Sequence, residues 1–214
     1  MSVAAVVVAG GQGSRFGGLK QFVLLGGDSV AAHSVRHARS VASQVILVVP
    51  VEYQGSGEGA DVVAIGGATR AESVRAGLAY CGDADIVVVH DAARPLATEG
   101  LFHAVVQAVL DGADGAVPAL AITDTVKRVA EDHGAVVVRG TESRDELVTV
   151  QTPQAFRREV LVRAHGERAD ATDDAALVEA LGARVVTVPG ERGNLKITHP
   201  DDLSLAASAH GAGQ

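Results

Sequence analysis

A glycine-rich stretch near the start of the sequence carries two cations that can act on a phosphate group. It reads VAGGQGSRFGGLKQF over residues 8–22 and contains Arg15 and Lys20. Glycine lets the backbone approach an anion closely and direct its N–H groups toward it. Fixed cations can stabilise the charge that develops during phosphoryl transfer. The stretch therefore predicts a phosphate-binding loop, the alternative being a tight turn whose cations are simply solvated.

Two common phosphate-binding loops do not match this stretch. A Walker A loop places lysine directly after glycine and before serine or threonine, whereas Lys20 lies between Leu19 and Gln21. A dinucleotide-binding fingerprint has its third glycine where this chain has Phe16. A loop with its own Arg15 and Lys20 suits a triphosphate undergoing reaction better than a pyrophosphate that is only bound.

Asp91 lies directly after an apolar run and a single histidine, in the segment VHDAARP at residues 89–95. Open α/β sheets bind ligands at the carboxyl ends of their strands, and Mg²⁺ is commonly held by one or two carboxylates together with substrate phosphates. Asp91 is therefore the candidate ligand of Mg²⁺, the alternatives being a turn cap or an ion pair with Arg94. We interpret His90 as structural, because a substrate phosphate needs no general base to act as a nucleophile.

The elements that must position these residues follow an alternating pattern. Continuous apolar runs predict buried strands at Val3–Val8, Val45–Val49, Val62–Ile65, Ile86–Val89 and Gly115–Leu120. Helical spacing predicts helices at Val30–Val41, Arg70–Tyr80 and Leu101–Leu110. Further along, we expect a helix near Asp173–Leu181, a strand at Val185–Val188 and a final helix after Pro200. This pattern indicates one α/β domain over residues 1–214, with a doubly wound, mostly parallel sheet.

Residues 123–156 interrupt the alternation and predict a β-arm that leaves the main sheet. The runs TDTVKRV and GAVVVRG are joined by AEDHG, a plausible hairpin turn. The following ESRDELVTVQTPQAF is polar and shows no clear helix. Because an isolated hairpin is marginally stable in water, we expect this arm to pack on a second copy of the chain.

Composition excludes several classes of function. The chain has 18 Lys and Arg against 26 Asp and Glu, a net charge of -8, so nucleic acid is not an expected partner. No apolar run approaches the ~20 residues of a membrane span, and the apolar start lacks the basic region of a signal peptide. With Cys81 as the single cysteine, we expect a cytoplasmic protein without disulfides.

Several motifs together resemble one enzyme family. The glycine loop alone is similar to nucleotidyltransferases that activate sugar or polyol phosphates. The segments GGATRAESVRAGL (66–78), HDAARP (90–95), TDTVKR (123–128), TPQAF (152–156) and NLKITHPDDL (194–203) resemble those of the 2-C-methyl-D-erythritol 4-phosphate cytidylyltransferases of non-mevalonate isoprenoid biosynthesis. The resemblance implies a Rossmann-like nucleotidyltransferase fold, Mg²⁺, transfer of CMP from CTP to a polyol phosphate, and a homodimer formed through the β-arm.

The resemblance also implies roles for individual residues. Arg15 and Lys20 would be catalytic, and Asp91 would bind the metal. The nucleotide would be bound by Ala9, Gly10, Gly11, Gly13, Gly67, Ser73 and Asp91, and the polyol phosphate by Thr125, Arg144, Thr152 and Lys196. Thr125 and Arg144 lie on the arm and would complete the site of the neighbouring subunit. From the residues alone, Ser73 is equally a helix N-terminal hydroxyl, and Arg144 can instead pair with Glu142 or Glu146.

The chain departs from the family pattern at a few positions. Some members carry an acidic residue shortly before the lysine that matches Lys196, where this chain has Gly193 and Asn194; Asp91 is therefore the one predicted protein ligand of the metal. Ala68 occupies a position that is often acidic. Two alternatives remain: cytidylyl transfer to another polyol phosphate such as ribitol 5-phosphate, and a nucleotide-binding regulatory protein without turnover.

Overall fold

The protein folds around one eight-stranded sheet. A computed structural model describes residues 1–53, 55, 57–166 and 173–212. The strands are β1 (Val3–Val8), β2 (Leu24–Leu25), β3 (Asp28–Ser29), β4 (Gln44–Val49), β5 (Val62–Ile65), β6 (Ile86–Asp91), β7 (Gly115–Ala121), β8 (Lys127–Asp132), β9 (Ala135–Thr141), β10 (Val148–Val150), β11 (Gln154–Arg157) and β12 (Val185–Pro189). The helices are α1 (Val30–Ala38), α2 (Arg70–Leu78), α3 (Glu99–Leu110), α4 (Arg158–Gly166), α5 (Asp174–Glu179) and α6 (Pro200–Ala212). Short 3-10 helices cover Lys20–Phe22 and Arg144–Glu146.

The main sheet is parallel except at two strands. Its order is β10-β7-β11-β6-β1-β4-β5, with β12 pairing in parallel with β7. Strand β1 lies between β6 and β4, both parallel to it, whereas β10 and β11 run antiparallel to their neighbours. The carboxyl ends of β1, β4, β5 and β6 therefore meet at one edge of the sheet.

Helices cover both faces of this sheet. Alternate residues of β1 enter different apolar clusters, as expected from the two-residue period of a strand. Ala5 and Val7 pack with α1 and α3, whereas Ala4 and Val6 pack with α2, α4 and α5. The predicted doubly wound architecture is thus confirmed. None of the helices within the described residues is long and apolar enough to span a bilayer.

Most predicted elements are found, with shifted ends. The strand at Val3–Val8 is as predicted, and the final helix does begin at Pro200. The first helix ends at Ala38 rather than Val41, and the second at Leu78 rather than Tyr80. Helix α4 was not predicted, and the predicted helix near Asp173–Leu181 corresponds to the shorter α5.

The predicted β-arm at 123–156 is too long at its C-terminal end. Strands β8 and β9 do form a separate two-stranded sheet, turning at His133 and Gly134. By contrast, β10 and β11 return to the main sheet, so only residues 122–147 leave it. The prediction was wrong there because it took the polar residues of the later segment to be exposed. Gln151 and Gln154 are in fact buried and donate hydrogen bonds to distant parts of the chain.

Candidate active site

A cleft of about 660 Å³ lies at the carboxyl edge of the sheet, where the fold places ligands. It is lined by the glycine loop after β1, by residues 50–52 after β4, and by residues 66–70 after β5. Asp91 at the end of β6 and Lys196 also line it. The cleft contains ten of the predicted site residues: Ala9, Gly10, Gly11, Gly13, Arg15, Lys20, Gly67, Ser73, Asp91 and Lys196.

The glycine loop presents a row of unused backbone donors. Within the described part of the chain, the N–H groups of residues 10–15 donate no hydrogen bond to a protein acceptor. The loop closes through Gly13, whose carbonyl oxygen accepts from the N–H groups of Phe16 (2.8 Å) and Gly17 (3.0 Å). Gly13 has a φ of 63°, and a side chain there would overlap the carbonyl oxygen of Gly18. Consecutive free N–H groups of this kind form an anion-binding concavity.

Arg15 and Lys20 add positive charge that is not paired directly with an acidic side chain among the described residues. Neither side chain forms an ion pair or a hydrogen bond with another residue in the part of the chain that the structure describes. Burial lowers the pKa of Lys20, and so do the nearby charges of Lys196 and Arg15. An anionic ligand would relieve this repulsion, so the charge of this part of the cleft favours an anion.

Asp91 is the acidic centre of the site. Its carboxylate accepts from Lys196 Nζ at 2.7 Å and from Arg70 Nε at 3.2 Å. Burial alone would raise the pKa of Asp91, but Arg70 and Lys196 hold it well below its usual range. Asp91 is therefore ionised at any physiological pH. The cation bonded to each of its two oxygens fixes the orientation of the carboxylate.

Arg70, which the sequence analysis did not single out, anchors Asp91 to the rest of the fold. It begins α2, and its Nη1 donates to Asp174 Oδ2 at 2.7 Å. The other oxygen of Asp174 lies 2.9 Å from His165 Nε2, and both of these side chains are buried. A clue in the sequence was its position directly after the helix N-cap Thr69, at the carboxyl end of β5.

Thr152 supports Asp91 from beneath the cleft. Its hydroxyl oxygen accepts from the Asp91 backbone N–H at 3.0 Å and lies 3.2 Å from His90 Nδ1. His90 Nε2 is 3.2 Å from the Arg94 carbonyl oxygen, which can only accept, so Nδ1 receives the Thr152 proton. Burial lowers the pKa of His90 to about 3, which agrees with the interpretation of His90 as a neutral structural residue.

Small residues shape the end of the cleft next to α2. Ser73 is buried, and its hydroxyl donates to the Thr69 carbonyl at 3.0 Å. A side chain at Gly10 would come within 3.1 Å of Ser73 Oγ, and one at Gly66 within 2.7 Å. Ser73 is thus both a helix N-terminal hydroxyl and part of the cleft wall. The Ala68 N–H donates to Glu72 of the α2 capping box, which fixes this loop.

Three predicted site residues do not line the cleft. Thr152 lies beneath it, while Thr125 and Arg144 are exposed on the arm. Arg144 Nη1 donates to the Thr123 carbonyl oxygen at 2.6 Å instead of pairing with Glu142 or Glu146. Glu142 pairs with Arg128.

Comparison of the sequence with known proteins indicates one family. The family model described as IspD, 2-C-methyl-D-erythritol 4-phosphate cytidylyltransferase, matches residues 3–210. A protein of that name from Frankia casuarinae is 46% identical over 214 residues, covering 95% of this chain and 79% of the relative. A protein named bifunctional enzyme IspD/IspF from an Anaeromyxobacter species is 48% identical over 221 residues, and the chain spans only 56% of its length.

The structure of the chain is also similar to a solved structure over nearly its whole length. The crystal structure of 2-C-methyl-D-erythritol 4-phosphate cytidylyltransferase from Thermus thermophilus superposes with a TM-score of 0.82 at 36% identity. The match covers 98% of this chain and all of that one. The chain therefore belongs to the 2-C-methyl-D-erythritol 4-phosphate cytidylyltransferase family, as its motifs predicted.

Proposed function

We propose that this chain transfers the cytidylyl group of CTP to 2-C-methyl-D-erythritol 4-phosphate, giving 4-diphosphocytidyl-2-C-methyl-D-erythritol and pyrophosphate. The observation that carries the proposal is the glycine loop, which lies next to Asp91 in the cleft. The cationic side chains of this loop and the N–H groups of residues 10–15 form no hydrogen bond with other described residues. This arrangement accepts a polyphosphate and leaves space in the same cleft for a nucleoside. Family membership supplies the identity of the base and of the acceptor.

In this reaction an oxygen of the acceptor phosphate attacks the α-phosphorus of CTP. The bond from the α-phosphorus to the bridging oxygen breaks, and that oxygen leaves with pyrophosphate. Negative charge grows on the oxygens around the α-phosphorus and on the leaving group. Lys20 and Arg15 stabilise this charge, while the N–H groups of the glycine loop hold the nucleotide. No side chain needs to remove a proton, because a phosphate monoester is largely dianionic near neutral pH.

Asp91 is the residue that would hold Mg²⁺. Within the described residues no three His, Cys, Asp or Glu side chains cluster as a metal site, and a single carboxylate fits an ion that takes its remaining ligands from phosphates and water. The ion would neutralise charge on the bound phosphates. Asp91→Asn should keep its fold by circular dichroism yet lose Mn²⁺ binding in the presence of CTP, measured by electron paramagnetic resonance. Unchanged Mn²⁺ binding would make Asp91 structural.

The acceptor is assigned to the side of the cleft near Lys196, with Thr125 and Arg144 supplied by a second subunit. Lys196 Nζ bonds to Asp91 at 2.7 Å, and its side chain is 42% exposed, so it can also meet an incoming phosphate. The exposed arm supports a homodimer, since Val129, Val136 and Val138 are 52%, 74% and 57% exposed. Thr152 contributes through Asp91, which its hydroxyl supports. A cytoplasmic location remains a prediction.

Pyrophosphate release is the direct test of this function. Purified protein is mixed with CTP, Mg²⁺ and either 2-C-methyl-D-erythritol 4-phosphate, ribitol 5-phosphate or no acceptor. We expect rapid release with the first acceptor and little with the others. Preference for ribitol 5-phosphate would change the acceptor, and CTP binding without release would favour a regulatory protein.

A further inference from the structure

Gln21 holds a buried amide at the base of the glycine loop. It follows Lys20 in the first 3-10 helix and is only 3% exposed. Its Nε2 donates to the Ala9 carbonyl oxygen at 2.6 Å and to the Gly11 carbonyl oxygen at 3.0 Å. Both protons of the side-chain amide are thus used on two peptide groups at the point where β1 becomes the loop.

The geometry of a peptide group gives this contact a second effect. The bonds that follow Ala9 and Gly11 are trans, and in a trans peptide the N–H points away from the carbonyl of the same plane. The N–H groups of Gly10 and Gln12 therefore point away from the Gln21 amide. Both residues line the cleft, and within the described residues neither N–H has a protein acceptor.

We propose that Gln21 is a positioning residue that holds the N–H groups of Gly10 and Gln12 toward the bound nucleotide. The inference rests on the proposed function, because it takes CTP as the ligand of this cleft. Glycine-rich backbone has many accessible conformations and loses more freedom than other residues when it is fixed. The buried amide fixes two of these peptide planes in advance, so the nucleotide meets donors that are already oriented.

Amide NMR of the wild-type protein tests the geometry directly. Titration with CTP in the absence of acceptor should shift the ¹⁵N–¹H resonances of Gly10 and Gln12. CTP binding without shifts at these two amides would overturn the inference alone. Absence of any CTP binding would overturn both the inference and the proposed function.

Gln21→Met tests the role of the amide, because methionine has a similar length and no donor. We expect the KM for CTP to rise by about 10- to 100-fold, from the weakening of hydrogen bonds to a charged ligand. The KM for the acceptor should change little, and the Gly10 and Gln12 shifts should shrink. A purely structural role predicts a lower melting temperature with the KM for CTP unchanged, and that result would overturn the proposal.

Gln154→Met is the matched control. Gln154 is also buried, at 1% exposure, and its Nε2 donates to the Gln151 carbonyl at 3.4 Å and to Asp173 at 3.3 Å. Its loss should lower stability while the KM for CTP stays near the wild-type value. An equal rise of that KM in both variants would show that general loosening of the fold, rather than the Gln21 contact, affects nucleotide binding.

Discussion

The side chain of Lys20 is partly buried. Its burial and the nearby charges of Lys196 and Arg15 all disfavour the charged form of its amine and lower its pKa. In the proposed reaction, the negative charge that grows around the α-phosphorus would stabilise the ammonium form more in the transition state than in the ground state. We therefore expect Lys20→Ala to lower kcat by about 100- to 1000-fold, the scale typical of one lost oxyanion donor. The KM for CTP should change much less, as steady-state kinetics can show.

Arg163→Ala is a suitable control for the loss of a cation, because Arg163 is exposed on α4 and does not line the cleft. Its kcat should stay close to that of the wild type. If Lys20→Ala raised only the KM for CTP and left kcat intact, Lys20 would bind the nucleotide without acting on the transition state.

The same residue gives a prediction for pH. Because the pKa of Lys20 is lowered from its usual 10.5, the free enzyme loses this charge at a lower pH than ordinary lysine does. The profile of kcat/KM for CTP should therefore fall on the alkaline side below that value. In the profile of kcat the fall should move to higher pH, since bound triphosphate favours the ammonium form.

Lys20→Arg checks this assignment. A guanidinium stays charged throughout the range, so the alkaline fall in kcat/KM should disappear even if the rate itself is lower. The same fall in Lys20→Arg would assign the titration to another group. His90 should add no acid limb between pH 5 and 8, because its pKa of about 3 keeps it neutral there.

At this scale the sequence predicted residues that line the cleft better than residues that support them. Arg15, Lys20 and Asp91 stand next to recognisable glycines or a strand end, so their positions and the resemblance to the family together indicated them. Arg70 acts through Asp91 and Asp174, and Asp174 lies 104 residues along the chain from it. The position of Arg70 after the N-cap Thr69 was a clue that it lies near the cleft, but its partners come together only after folding.

Helix α2 begins at Arg70, and the C-terminal end of the helix packs closely on the sheet. A side chain at Gly77 would overlap Val6 and lie 3.0 Å from Val48 Cγ2. Gly77→Ala should therefore destabilise the protein by about 1–3 kcal/mol through overpacking, although alanine is intrinsically better in a helix by about 1 kcal/mol. Urea unfolding measures the net effect.

Gly100→Ala in α3 is the matched control. The nearest atom to its new side chain would be Thr98 Oγ1 at 3.6 Å, an ordinary contact. With no overlap, the helix preference should dominate and stability should stay equal or rise slightly. Stabilisation by both substitutions would show that the contact of α2 with β1 and β4 can relax without cost.

At the scale of elements, the continuous apolar strands at the centre of the sheet were predictable because β1, β4 and β6 are buried on both faces. The errors lie where burial depends on distant partners. Gln151 and Thr152 look like loop residues, yet both are buried beside Asn194, whose amide donates to the Thr152 carbonyl at 2.9 Å. Polar residues can enter a core when their hydrogen bonds are satisfied there, and a single sequence does not reveal such partners.

The whole molecule exposes an apolar surface on its arm that one chain does not cover. Besides its exposed valines, the arm ends at Leu147 and is followed by Val148 and Val150, which are 37%, 49% and 41% exposed. Such a patch is typical of an interface, and a two-fold pair of arms would bury the same surface on both copies. Light scattering at assay concentration should give a dimer, and a monomer would remove this premise.

The proposal that each active site is shared between two subunits can be tested by mixing two inactive variants. If Arg144 serves the neighbouring cleft, Lys20→Ala and Arg144→Ala homodimers should both be nearly inactive. After subunit exchange of an equal mixture, half of the dimers are mixed, and each mixed dimer has one site with both lesions and one with neither. Activity should return to about a quarter of the wild type, given random reassortment of closed two-fold dimers.

A mixture of Lys20→Ala with Asp91→Asn should stay inactive, because both residues line the cleft of the same chain. Exchange without recovery in the first mixture would place Arg144 in the site of its own chain.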